Sequence, residues 1–117
     1  MTDLPGAIAL AWRAWTETPR PFENFWEEKV DALSFGVELD LDHQATYLDG
    51  LMEELARGNR EWHFHVHAQR ELRDLEDFWG RIEAIELPAV VFARFDRYAK
   101  ATRRLLNAIL LDMPPSR

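Results

Sequence analysis

The stretch EWHFHVHAQRE, residues 61–71, places histidine at every second position and admits two readings that lead to different folds. Strict alternation of apolar and polar residues over 62–68 is the period of a half-buried strand. A strand would gather His63, His65 and His67 on one face and Trp62, Phe64 and Val66 on the other. A helix would divide them: at ~100° per residue His63 and His67 fall ~40° apart, whereas His65 points ~200° away from His63.

The residues downstream favour the helix. From Ala68 the stripe Ala68, Leu72, Leu75, Trp79, Ile82 steps four, three, four, three, which is a heptad seam. No turn chemistry separates this seam from the histidines, Asn59 suits an N-cap, and Glu61 suits a first turn. One helix from about residue 60 to about residue 86 is therefore expected. FGVELDL at 35–41 also alternates, so the fallback is an α+β fold with a small two-stranded element at 35–41 and 62–68, a pair whose edges nothing would cover.

Four further helical segments flank this one. Leu4, Ile8, Trp12 and Trp15 recur at helical spacing until TPRP at 18–21 ends the run. A second segment opens at Pro21, places Phe22, Phe25, Trp26, Val30 and Leu33 on one side, and finds a natural stop in Gly36. A third takes Asp40 or Asp42 as its N-cap, carries the stripe Leu41, Ala45, Leu48, Met52, Leu55, and ends at Gly58. The last begins at Pro88 and carries Val91, Phe95, Tyr98, Thr102, Leu105 and Ile109. With the histidine helix it reads as a long antiparallel helical hairpin turned at ELP. The expectation is an all-α bundle of about five helices forming a single domain over residues 1–117.

Composition narrows the function. The 117 residues hold no cysteine, which removes disulfide, CxxC and thiolate-zinc chemistry and favours the cytoplasm. The N-terminal run carries an acid where a secretory signal needs positive charge and is broken by Arg13, and no apolar stretch nears the ~20 residues of a membrane span. The glycines at 6, 36, 50, 58 and 80 stand alone, so neither a phosphate-cradling loop nor a dinucleotide fingerprint is present. Ser34 and Ser116 are the only serines, which leaves little material for a nucleophilic triad. Adjacent carboxylates such as Glu53 and Glu54, or Glu76 and Asp77, diverge on a helix. No catalytic residue is assigned, and binding is favoured over catalysis.

Charge is divided unevenly along the chain. Residues 1–56 hold three basic residues against 12 acidic ones, a net of −9, and residues 57–117 hold 11 against nine, a net of +2, within a total of −7. In the second segment Glu23, Glu27, Glu28 and Asp31 lie close to Trp26 and its aromatic neighbours, a combination that suits docking to a basic protein. The expected function is that of a small acidic regulator, an antitoxin-like or immunity-like inhibitor, or an adaptor, working without a cofactor. A homodimer is a variant of it, the acidic half of one copy meeting the stripe Arg94, Arg97, Lys100, Arg103, Arg104 of another. The alternative is a helical bundle binding a divalent transition metal through His63 and His67, one turn apart, with His43 or a nearby carboxylate as third ligand. Glu71 is ~12 Å further along the axis than His63, too far to share an ion with both histidines. A third reading is a DNA-associated protein using the basic last segment, although the overall negative charge opposes approach to phosphate.

Overall fold

A computed structural model describes residues 6–18, 32–58, 63–84 and 89–112. Among the described residues it is all-helical, with α1 at Gly6–Glu17, α2 at Ala32–Ala56, α3 at Phe64–Glu83 and α4 at Ala89–Asp112. The expected count of about five helices is thus replaced by four described ones. The body of the expected second segment, including Glu23, Trp26, Glu27, Glu28 and Asp31, lies outside the described residues.

Helix α2 corrects the expected division between the second and third segments. It starts at Ala32 and runs unbroken through Gly36, Asp40 and Asp42 to Ala56. A glycine within a helix costs only about 1 kcal/mol relative to alanine, and no proline follows Gly36 to reinforce it as a stop. Gly58, with φ 86°, ends the helix: its N–H donates to the Leu55 carbonyl (3.1 Å) and the Arg57 N–H to that of Glu53 (3.1 Å).

The alternating stretches are helical as well, so the two-stranded fallback is overturned: 35–41 lies inside α2 and 64–68 forms the first turn of α3. Helix α3 is nevertheless shorter than expected. His63, not Asn59, stands at its N-terminus, in the left-handed conformation (φ 51°, ψ 55°), and makes no side-chain cap bond. Its carbonyl accepts from the N–H groups of Val66 (3.0 Å) and His67 (3.2 Å). Local alternation lost to the downstream heptad because burying one continuous stripe outweighs a short pair of uncovered strands.

The helices pack in the spatial order α1, α4, α3, α2. Contacts fix α2 and α3, and α3 and α4, as antiparallel neighbours. Tyr47 meets His67 while Asp40 meets Arg81 between α2 and α3. The tilted Trp79 and Phe92 rings meet with centroids 5.4 Å apart while Arg103 Nε reaches Glu76 (2.7 Å) between α3 and α4. The core collects the expected stripes: Ile8, Ala11 and Trp15 of α1, Leu41, Ala45, Leu48, Met52 and Leu55 of α2, Ala68, Leu75 and Ile82 of α3, and Phe95, Tyr98, Leu105 and Ile109 of α4. One polar contact is sealed within it. The Trp15 indole N–H donates to Thr102 Oγ1 (3.0 Å), whose hydroxyl donates in turn to the Tyr98 carbonyl (2.9 Å), so a threonine on a seam position is fully bonded.

Candidate functional site

Between α2 and α3 the two helices turn polar stripes toward each other. On α2 the stripe is Asp40, His43, Gln44, Tyr47, at i, i+3, i+4, i+7, and on α3 it is His67, Arg70, Glu71, Asp74 and Phe78. They enclose a cleft of about 320 Å³ lined by all of these except His67. The buried residues of α3 are Phe64, Ala68, Glu71, Leu75 and Ile82, so an acid beside the expected seam residue Leu72 is buried with the apolar ones.

Glu71 is only 6% exposed. Burial, the neighbouring Asp74 carboxylate and a hydrogen bond with Asp74 push its carboxyl up from the usual 4.5 to about 7, against the opposing pull of Arg70, whose Nε lies 3.8 Å from Oε2. It therefore exchanges its proton near neutrality. Gln44, 4% exposed, donates from Nε2 to the backbone carbonyl of Glu71 (2.9 Å). Only the nitrogen can donate to that carbonyl, so the amide orientation is fixed, and the buried Oε1 makes no hydrogen bond among the described residues.

A second network lies at the mouth of the cleft. Arg70 Nη2 donates to the Tyr47 hydroxyl (2.9 Å), and that hydroxyl makes a short hydrogen bond to His67 Nδ1. Because a guanidinium can only donate, the phenol accepts from Arg70 and gives its own hydrogen to Nδ1, which fixes His67 as the neutral Nε2–H tautomer. Burial, then the charges of Arg70 and His63, lower the His67 pKa below 6.5, in keeping with that tautomer. Burial raises that of the Tyr47 phenol, partly countered by Arg70. At the other end Arg81 pairs with Asp40, its guanidinium 5.0 Å above the Phe78 ring.

The metal-ligand trio expected from sequence is not assembled. His63 sits exposed in a left-handed turn ahead of α3, His67 Nδ1 is held by Tyr47, and His43 is exposed on α2. Among the described residues no group of three or more histidine, aspartate or glutamate side chains is placed to hold a metal ion. The basic stripe is partly consumed within the fold: Lys100 pairs with Asp96 (2.8 Å) and Arg103 with Glu76, Arg94 is half-buried, and Arg97 and Arg104 are exposed. Arg104 borders a groove of about 410 Å³ between α1 and α4, with Asn107 and the apolar Ala7, Leu10, Ala11, Ala108 and Leu111. Leu10 is 61% and Leu111 84% exposed there. None of the described helices is long and apolar enough to cross a membrane.

Compared with protein-family models, curated proteins and solved structures, the chain matches none. The cleft therefore has to be read from its own chemistry. Of its central residues, Glu71 was weighed from sequence only as a metal ligand and set aside, and Asp74, Gln44 and Tyr47 were not singled out, although the i, i+3, i+4, i+7 polar stripe of α2 is a legible signal. No serine, threonine, cysteine or lysine lines the cleft. What the site offers is carboxylates, one arginine already engaged with its neighbours, and one near-neutral proton.

Proposed function

We propose that the protein acts by binding a basic protein partner, as a small regulator, inhibitor or adaptor, with the α2–α3 cleft at the centre of the contact. The observation that supports this reading is a charge imbalance inside the cleft. Arg81 offsets Asp40, and Arg70, spread between Tyr47, His67 and Glu71, offsets at most one of the Glu71 and Asp74 carboxylates. Among the described residues one negative charge is left without a cation when both are ionised, in a cleft of which α2 belongs to the strongly acidic half of the chain. A basic partner supplies the missing charge, and long-range attraction speeds its encounter. Glu23, Glu27, Glu28 and Asp31, with Trp26 as anchor, remain a proposed partner-binding set, outside the described residues.

The test is charge reversal at the cleft. A partner captured on the immobilised chain should lose most of its affinity for Asp74→Lys, and should associate more slowly as salt is raised. Reversing Glu27 and Glu28 to lysine should slow association and flatten its salt dependence. A partner that binds Asp74→Lys as well as wild type, or at a rate indifferent to salt, refutes the reading.

A second reading, self-association, is favoured by the α1–α4 groove. Its exposed Leu10 and Leu111 adjoin Arg104, on the side of α4 that also carries Arg97 and Lys100, and the acidic half of another copy is complementary to it. Sedimentation at low and high salt should then show a dimer that weakens with salt and with Leu111→Glu. A monomer under both conditions rejects it.

A further inference from the structure

Resting on the self-association reading, we propose that the occupant of the α1–α4 groove is the outer flank of α2 from a second copy of the chain, so that copies join head to tail instead of closing as a pair.

Helix α4 carries two stripes of heptad spacing. One is the core seam Phe95, Tyr98, Thr102, Leu105, Ile109. The other, Arg97, Ala101, Arg104, Ala108, Leu111, steps four, three, four, three along the side that borders the groove. Its two alanines are covered, whereas Arg97, Arg104 and Leu111 stand exposed, and Leu111 with Leu10 walls one end of the groove. Arg97 and Arg104 lie two turns apart, ~10.5 Å along the axis. Among the described residues neither makes an ion pair or hydrogen bond, while Lys100 and Arg103 between them are paired with Asp96 and Glu76. No acid lines the groove. Its complement is a helix with acids seven positions apart and a small apolar residue two turns beyond.

Helix α2 supplies that pattern. Asp42, Thr46, Asp49, Glu53 and Ala56 also step four, three, four, three, and all are exposed or half-buried. This flank lies ~140° round the helix from the cleft stripe Asp40, His43, Gln44, Tyr47, so its use leaves the cleft open. With α2 laid parallel to α4, Asp42 meets Arg97, Thr46 meets Ala101, Asp49 meets Arg104 and Ala56 meets Leu111. Acid falls on base, small on small and apolar on apolar. The two helices also belong to halves of opposite sign, −9 over residues 1–56 and +2 over residues 57–117. Exposed ion pairs contribute little to affinity, so the charges set register and orientation while the leucine end excludes water. Pairing groove with groove about a two-fold axis would bring arginines together with no acid in either lining.

The groove and α2 stand at opposite ends of the helix order α1, α4, α3, α2. Each contact therefore uses a different surface of each copy and leaves one groove and one flank free. A dimer is the shortest member of a series that grows until its rotation closes a ring.

The experiment is sedimentation velocity of the full chain over a range of protein concentrations, with thermal melts of each variant as the check on folding. The wild type is expected to grow with concentration from monomer through dimer to larger species. Leu111→Glu spoils the groove and Asp42→Arg spoils the flank, and each should weaken association about tenfold or more. Mixed, the two should form a 1:1 heterodimer that grows no further, because one retains a sound flank and the other a sound groove. Asp42→Arg and Arg97→Glu combined in one chain should restore assembly, whereas Arg73→Glu, on the exposed side of α3, should leave it as in wild type. A dimer that stays a dimer at every concentration, or larger species that survive Asp42→Arg, would overturn the α2 flank as occupant while self-association stands. A mixture that yields no heterodimer, or a charge exchange that restores nothing, overturns it as well. A monomer throughout rejects both.

Discussion

Replacing Glu71 by glutamine should stabilise the protein, and by more as the pH rises. The sign follows from the direction of the pKa shift. The folded state holds this carboxyl up at about 7, while the unfolded chain releases the proton near 4.5. Below pH 4.5 both states are protonated and the group contributes nothing to pH dependence. Between 4.5 and 7 the folded state binds the proton that the unfolded state has lost, so stability falls as pH rises, and above 7 the loss is complete. At 1.36 kcal/mol per pH unit separating the two values, the ionised carboxylate costs the folded protein about 3 kcal/mol, an upper figure because water that reaches the carboxylate reduces it. Glutamine keeps the shape and hydrogen-bonding capacity but never ionises. Urea unfolding, followed by tryptophan fluorescence at half-unit steps from pH 4.5 to 8.5, should show the variant gaining on wild type by roughly 2–3 kcal/mol across that range. His67 acts with the opposite sign in both proteins: its lowered pKa favours the folded state above 6.5 and gives up that contribution as the pH falls. Parallel curves for wild type and Glu71→Gln, or a variant that loses ground above pH 7, would refute the assignment of Glu71 as a buried acid whose burial outweighs the pull of Arg70.

Three other outcomes are expected. Thr102→Val should cost roughly 1–3 kcal/mol in urea unfolding, because it is nearly isosteric yet removes the oxygen that accepts from the buried Trp15 indole N–H; an unchanged midpoint would mean that the bond contributes nothing. Tyr47→Phe removes the hydroxyl that donates to His67 Nδ1, so the His67 pKa, followed by the NMR shifts of its ring protons, should rise toward 6.5; no movement would place the phenol proton elsewhere. His63→Gly should leave stability unchanged or raise it by up to about 1 kcal/mol, since glycine adopts the left-handed conformation without a Cβ clash, while losing more freedom on folding; a loss above 1 kcal/mol would show that the histidine ring itself anchors the start of α3.

The helical class and most core residues were legible because helix burial is periodic. Ala68, Leu75 and Ile82, or Phe95, Tyr98, Leu105 and Ile109, are buried as their spacing requires. Boundaries were less legible. Gly36 read as a stop but lies within α2, because a single glycine's cost is small beside the packing of a 25-residue helix. The start of α3 was placed early because nothing in the sequence announces that His63 would take a left-handed conformation. The cleft was missed for a different reason. Glu71 and Asp74 pair at i, i+3 and not as adjacent residues, and the alternating histidines, the plainer signal in the sequence, include His63, which lies off α3. Gln44 was invisible as a site residue because its significance rests on Glu71, 27 positions away.

Ionisation of Glu71 destabilises the free protein and unbalances the cleft's charge over the same range, as the pH rises through about 7. A basic partner that pairs with the ionised Glu71 carboxylate would therefore bind more tightly at pH 8 than at pH 6 and would release a proton on binding below neutrality, whereas a partner that meets only Asp74 would do neither. In Glu71→Gln the affinities at the two pH values should be the same. A partner whose affinity for the wild type does not change between pH 6 and pH 8 would show that the Glu71 carboxyl takes no part in the contact.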